Sequence, residues 1–112
     1  MADTATERVC FVLRLKPELV DEYVTAHQHV WPEMLSALSD AGWRNYSLFV
    51  RSADGLVVGY LETDDFAAAQ SGMAATEVNA RWQAGMADFF QNAEGVHPDQ
   101  AMKPLTEYFH LD

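Results

Sequence analysis

The chain has 112 residues, 17 of them acidic and 7 basic, which gives a formal charge of −10 with histidine neutral. That length accommodates one domain, and the charge excludes nucleic acid and anionic membrane surfaces, which are bound through clustered Lys and Arg. Hydrophobic residues make up 49% and charged residues 21%, the balance of an ordinary globular domain rather than of a disordered chain. The single cysteine, Cys10, rules out a disulfide within the chain, and no Cys/His spacing matches a structural zinc site, so a reducing compartment is expected. No apolar run approaches the roughly 18 residues that span a bilayer. The opening residues Met1 to Glu7 lack the basic-then-apolar plan of a signal peptide, which makes the cytoplasm the expected location.

Residues 1–7 are expected to be mobile, with residues 8–112 forming one domain. Arg8 to Leu15 is rich in β-branched and aromatic residues and reads as a first strand, closed by Lys16-Pro17. From Glu18 to Ala41, Val20, Tyr23, Val30, Met34 and Leu38 recur at helical spacing until Gly42. Pro32 lies inside that run and calls for a kink or restart near Trp31. Trp43 to Arg51 and Leu56 to Thr63 form an antiparallel pair, with Asp54-Gly55 supplying the positive φ angles of a tight turn. Strand alternation puts Tyr46, Leu48 and Val50 on one face and Trp43 and Phe49 on the other. Both faces are apolar, and there are too few helices to cover two sides, so a second subunit is expected to cover one. Asp65 to Gln70 reads as a short helical piece broken at Ser71-Gly72. It is followed by a helix from Ala75 to Gln91 with Thr76 as N-cap. Gly95 to Pro104 reads as loop and Leu105 to Leu111 as a last strand. The resulting order, βαββαβ, is that of a ferredoxin-like α+β sandwich, an architecture that hosts many activities.

His27 is the most informative residue, because it lies one helical turn after Tyr23 and one before Trp31 on the apolar stripe. An inward imidazole exchanges protons near neutrality, and Tyr23 is placed to orient it or to touch the same ligand. The alternative is a core histidine bonded to a carbonyl. His29 and Glu33 form an i, i+4 pair with no third ligand, which reads as a solvated surface pair rather than a metal site. His97 and His110 carry no motif. Tyr46 and Trp82 are either packing residues or the walls of a ligand site. The chain has no Gly-rich phosphate loop, no Gly-x-Ser-x-Gly elbow and no Cys beside a base, so no cofactor is expected. A small uncharged ligand suits imidazole, phenol and indole.

Together, Tyr23-x-x-x-His27-x-x-x-Trp31-Pro32-Glu33, Asn45-Tyr46, Arg81-Trp82 and the ending Tyr108-Phe109-His110-Leu111 resemble the L-rhamnose mutarotase family. The likeness extends over nearly the whole chain from Val9. It implies a homodimeric α+β barrel, joined through sheet faces, that interconverts the α and β anomers of L-rhamnose without metal or nucleotide. It implies that His27 is the proton donor, that Tyr23 and Tyr46 contact the sugar, and that Trp82 is the first of two adjacent wall residues. The second is tryptophan in the family and Gln83 here, and the loop His97 to Met102 also departs from the family pattern. Mutarotation opens the hemiacetal, rotates about C1–C2 and recloses, which requires two proton transfers. The competing classes are a cofactor-free monooxygenase on a similar barrel and a dimer of the same fold that binds a small ligand without transforming it.

Overall fold

A computed structural model describes residues 6–91 and 102–111. Three strands, β1 (Glu7–Arg14), β2 (Arg44–Arg51) and β3 (Leu56–Thr63), form an antiparallel sheet in the order β1-β3-β2. Four helices accompany it: α1 (Val20–His27), α2 (Pro32–Asp40), α3 (Phe66–Ala74) and α4 (Glu77–Met86). Glu7, expected to be mobile, opens β1, and its carboxylate accepts the Phe66 N–H at the start of α3 (2.6 Å). Residues 1–5 of the expected mobile stretch lie outside the described residues.

Strand period decides where the core sits. On β1 the buried side chains are Val9, Phe11 and Leu13, and on β3 Val57, Leu61 and Thr63 share the buried face. They pack against Val20 and Tyr23 of α1, Met34 of α2, Phe66, Ala69 and Met73 of α3, and Trp82 of α4. The helices therefore cover one face. Phe11 and Leu61 are completely buried, and burial of each contributes about 1.5–3 kcal/mol. Gly59 is what admits the Phe11 ring: a Cβ there would stand 2.2 Å from the Phe11 Cζ.

The expected long first helix is two helices. Trp31, the residue before proline, is extended (φ −60°, ψ 136°), and α2 begins at Pro32 itself, whose fixed φ and missing N–H suit a first helical position. The chain thus stops at His27 and restarts rather than bending through the proline. This separates His29 from Glu33, which no longer share a helix; Glu33 pairs with Arg81 instead (3.4 Å).

Four further expectations are corrected. In the β2–β3 turn only Gly55 has a positive φ (+75°). Asp54 contributes through its carboxylate, which binds the Arg51 guanidinium (2.6 Å) and is held down at about 2 by it. Helix α3 runs through Ser71-Gly72, because a mid-helix glycine costs only about 1 kcal/mol and Gly72 lets Ala41 approach closely. Helix α4 is shorter than expected, and residues 87–89 tighten into a 3-10 turn. Thr76 caps α4 by accepting the Asn79 N–H (3.2 Å). Finally, residues 105–111 do not form a strand. The segment's backbone meets β1 at one bridge, Phe11 to Pro104, and through the Leu105 N–H, which donates to Cys10 O (2.7 Å), while the Arg8 guanidinium of β1 reaches Glu107 and His110. Pro104 has no N–H to extend a ladder, and beyond it Tyr108 is 96% exposed. The contact still falls beside β1, where the fourth strand of a βαββαβ sandwich belongs.

A bulge on β2 changes which face its side chains take. Ser47 pairs with Tyr60 and Arg44 with Glu62, so Asn45 and Tyr46 together oppose Leu61. Trp43 and Tyr46, expected on opposite faces, accordingly share one.

Candidate active site

Between the sheet and the helices lies a cavity of about 470 Å³. The end of α1 and the break after it supply His27, Gln28 and Val30. Helix α2 supplies Met34, Leu35 and Leu38, and the start of β2 supplies Trp43, Tyr46 and Leu48. Helix α3 gives Gln70, Met73 and Ala74, helix α4 gives Asn79, Trp82 and Gln83, and Met102 adds the last wall residue. Among the described residues no Asp, Glu, Lys or Arg lines this space. Among the described residues the acidic groups behind the charge of −10 thus stay out of the cavity wall, which suits an uncharged ligand.

His27 is half-buried in the last turn of α1. Its Nδ1 lies 2.9 Å from the Tyr23 carbonyl oxygen. A carbonyl can only accept, so Nδ1 carries the proton, and in the neutral ring Nε2 is the open acceptor. Burial pulls the pKa below the usual imidazole value, against the smaller upward effect of the bond to the Tyr23 carbonyl. His27 is therefore a neutral base at neutral pH. The Trp82 ring meets it edge-on, with centroids 5.4 Å apart at 90°, and Trp31 meets Trp82 in the same way at 5.1 Å. The Arg81 guanidinium covers Trp31 at 5.5 Å.

Of the site residues named from the sequence, His27, Tyr46, Trp82 and Gln83 all line the cavity. Tyr23 does not. It is buried behind the imidazole, 4.3 Å from it by ring centroids, with Phe89 and Phe90 edge-on to its ring. Burial pushes its hydroxyl up to about 12. Tyr23 holds His27 through its backbone carbonyl and ring face. His29 and His110 stand outside the cavity lining, and His97 lies outside the described residues.

Sequence reasoning missed Asn79. It is 4% exposed, and its Oδ1 accepts the Gln83 Nε2–H at 3.1 Å. The signal was available, since a polar residue at i−4 from Gln83 and i−3 from Trp82 shares their side of the helix. The two amides form a polar wall on α4 beside the Trp82 indole. Among the described residues, no three His, Cys, Asp or Glu side chains group as metal ligands.

Architecture and cavity define a ferredoxin-like α+β sandwich of the kind that forms dimeric α+β barrels, with one imidazole facing an uncharged, partly aromatic site. A family model described as L-rhamnose mutarotase matches residues 8–111. A protein of Oceanobacillus iheyensis named L-rhamnose mutarotase is 33% identical over 106 residues, covering 95% of this chain and 99% of that one. Its namesake from Bacillus subtilis is 32% identical, with 95% and 99% covered. The crystal structure of an L-rhamnose mutarotase from Formosa agariphila matches with a TM-score of 0.75 at 27% identity, covering 95% of this chain and 99% of that one. A solved structure from Mycobacterium tuberculosis, at 12% identity and a TM-score of 0.54 over 79% of this chain and 86% of that one, shares the fold. The chain belongs to the L-rhamnose mutarotase family.

Proposed function

We propose that this protein is an isomerase that interconverts the α and β anomers of L-rhamnose by opening and reclosing the pyranose ring. The observation that carries the reading is His27, half-buried, held by the Tyr23 carbonyl and lining an uncharged cavity. With Nδ1–H committed to that carbonyl, Nε2 first acts as a base: it takes the proton from the anomeric hydroxyl as the C1–O5 bond breaks. The Tyr46 hydroxyl, which also lines the cavity, gives its proton to the ring oxygen as that bond breaks and takes it back from the ring-forming hydroxyl on reclosure. Rotation about C1–C2 then exposes the other carbonyl face, and reclosure returns the proton from His27 to the new anomeric oxygen. Taking the proton first and giving it back reconciles a neutral resting imidazole with the role of proton donor. Positioned acid–base catalysis of this kind is typically worth about 10²–10⁴-fold. Trp82 offers an indole for the apolar face of the sugar, and the Asn79–Gln83 amides stand ready for hydroxyls.

The proposal includes a homodimer formed through sheet faces and a single domain over residues 8–112. The face opposite the helices carries Val12, Val58, Tyr60 and Phe49, and Phe49 is 62% exposed. A cytoplasmic location accords with the lone, partly buried Cys10. No helix among the described residues is long and apolar enough to cross a membrane.

The test is saturation-difference NMR at the anomeric protons of L-rhamnose, L-fucose and other deoxy sugars. Exchange of L-rhamnose anomers well above the uncatalysed rate is expected. Binding without exchange would favour a non-catalytic ligand-binding dimer, and oxygen uptake with an aromatic substrate would favour a cofactor-free monooxygenase.

A further inference from the structure

We infer that Asn45 is a positioning residue for the reaction, because its left-handed backbone builds the bulge that turns Trp43 and Tyr46 onto one cavity wall. The inference rests on the anomer-exchange reading above. In an unbroken strand, positions 43 and 46 point to opposite faces. Here two residues, Asn45 and Tyr46, oppose the single Leu61, and the extra residue reverses the side taken by everything on one side of it. The Trp43 and Tyr46 rings consequently lie 5.0 Å apart, and both line the cavity. Trp43 is anchored there by its indole N–H, which donates to Ala69 O at 3.0 Å.

Asn45 is the only non-glycine residue with a positive φ among the described residues, at +50°. Asn and Gly tolerate that conformation, while a β-branched residue is a severe outlier in it. The Asn45 side chain is exposed and takes no part in the cavity wall. Its amide donates to Glu62 Oε2 (3.2 Å), which also accepts the Tyr60 hydroxyl (2.7 Å). That contact lies on the strand's exposed side, so backbone conformation rather than the amide group sets the direction of Tyr46. Without the bulge, a regular pairing would send either Trp43 or Tyr46 to the opposite face of the sheet.

The experiment compares Asn45→Gly, which keeps the left-handed backbone and loses the amide, with Asn45→Val, which loses both, and with Asn45→Ala between them. Anomer exchange is measured alongside the nuclear Overhauser contact between the Trp43 indole and the Tyr46 ring. Asn45→Gly is expected to keep the contact and to exchange within about threefold of the parent. The left-handed penalty for other residues predicts a loss of roughly tenfold in kcat/KM, together with the ring contact, in Asn45→Val. Should that variant fail to fold, Asn45→Ala against Asn45→Gly carries the same comparison. A Gly variant as impaired as the Val or Ala variant overturns the proposal, as does an unchanged ring contact and rate in Asn45→Val. If the parent itself exchanges no anomers, the functional reading fails, and the ring contact alone still decides whether Asn45 builds the wall.

Discussion

The two faces of one sheet have opposite chemistry, although the same strands write both. On the helix-covered face Phe11, Leu61 and Val57 are fully buried, and the core opens into a cavity with an imidazole, a phenol and amides but, among the described residues, no Asp, Glu, Lys or Arg in its lining. On the bare face Phe49 remains exposed beside Val58 and Tyr60; away from the sheet's core the apolar side chains at 105, 108, 109 and 111 are exposed as well. The difference teaches that apolarity on a sheet has two uses. One face folds the chain around a cavity; the other, in the homodimer proposed above, is what a second copy covers, where a covered apolar patch is worth far more than a wet one.

The largest expected effect breaks the cavity side. His27→Ala should lower catalysed anomer exchange by about 10²–10⁴-fold with an unchanged circular dichroism spectrum. Full activity in that variant would remove the imidazole from the reaction. On the other face, Phe49→Asp should weaken self-association roughly 10²-fold or more, since each copy loses a Phe worth about 1.5–3 kcal/mol of burial. Sedimentation measures this, and anomer exchange per protomer, measured alongside, separates the cavity's contribution from that of the bare face. Core and bare face are then compared directly by stability: Leu61→Ala should cost about 2–5 kcal/mol in denaturant unfolding, against about 0.5 kcal/mol or less for Phe49→Ala in the monomer.

Acid gives a smaller, graded effect. His27 is held below the ordinary imidazole value by burial, so its contribution to stability is complete above about pH 6.5 and is lost as pH falls further. Catalysed exchange, which uses the neutral ring, should decline over the same acid range. Tyr23, raised to about 12 by burial, behaves oppositely: its contribution is present below about pH 10 and is lost as pH rises toward 12. A pH series of exchange rates and melting temperatures checks both directions. An effect as small as that of Phe49→Ala is expected at the surface, where Asp64→Asn, which removes the exposed partner of Arg44, should change stability by about 0.5 kcal/mol or less.

What was legible in the sequence was local. The inward turn of His27, the interruption at Pro32, the cap at Thr76 and the limits of β3 all depend on residues within a turn or two, where spacing and side-chain type speak directly. Four of the five residues named from the sequence, His27, Tyr46, Trp82 and Gln83, line one cavity. Asn79 was overlooked because a polar residue beside an apolar stripe does not disturb its period. That Tyr23 stands behind His27 rather than on the cavity wall was not legible, because helical spacing says which residues are neighbours but not which stands in front.

The sequence by itself determined the order of the three strands and of the helical segments between and after them, and the imidazole that faces the cavity, since periodicity and residue chemistry are properties of short segments. Only the tertiary structure decided the rest. It put two residues of β2 opposite Leu61, gave Asn45 its positive φ and thereby joined Trp43 to Tyr46. It drew α3 through Gly72 against Ala41 and left residues 105–111 without a ladder beyond Pro104. Pairing register and close approach belong to segments far apart in the chain, and their energies exist only once those segments meet.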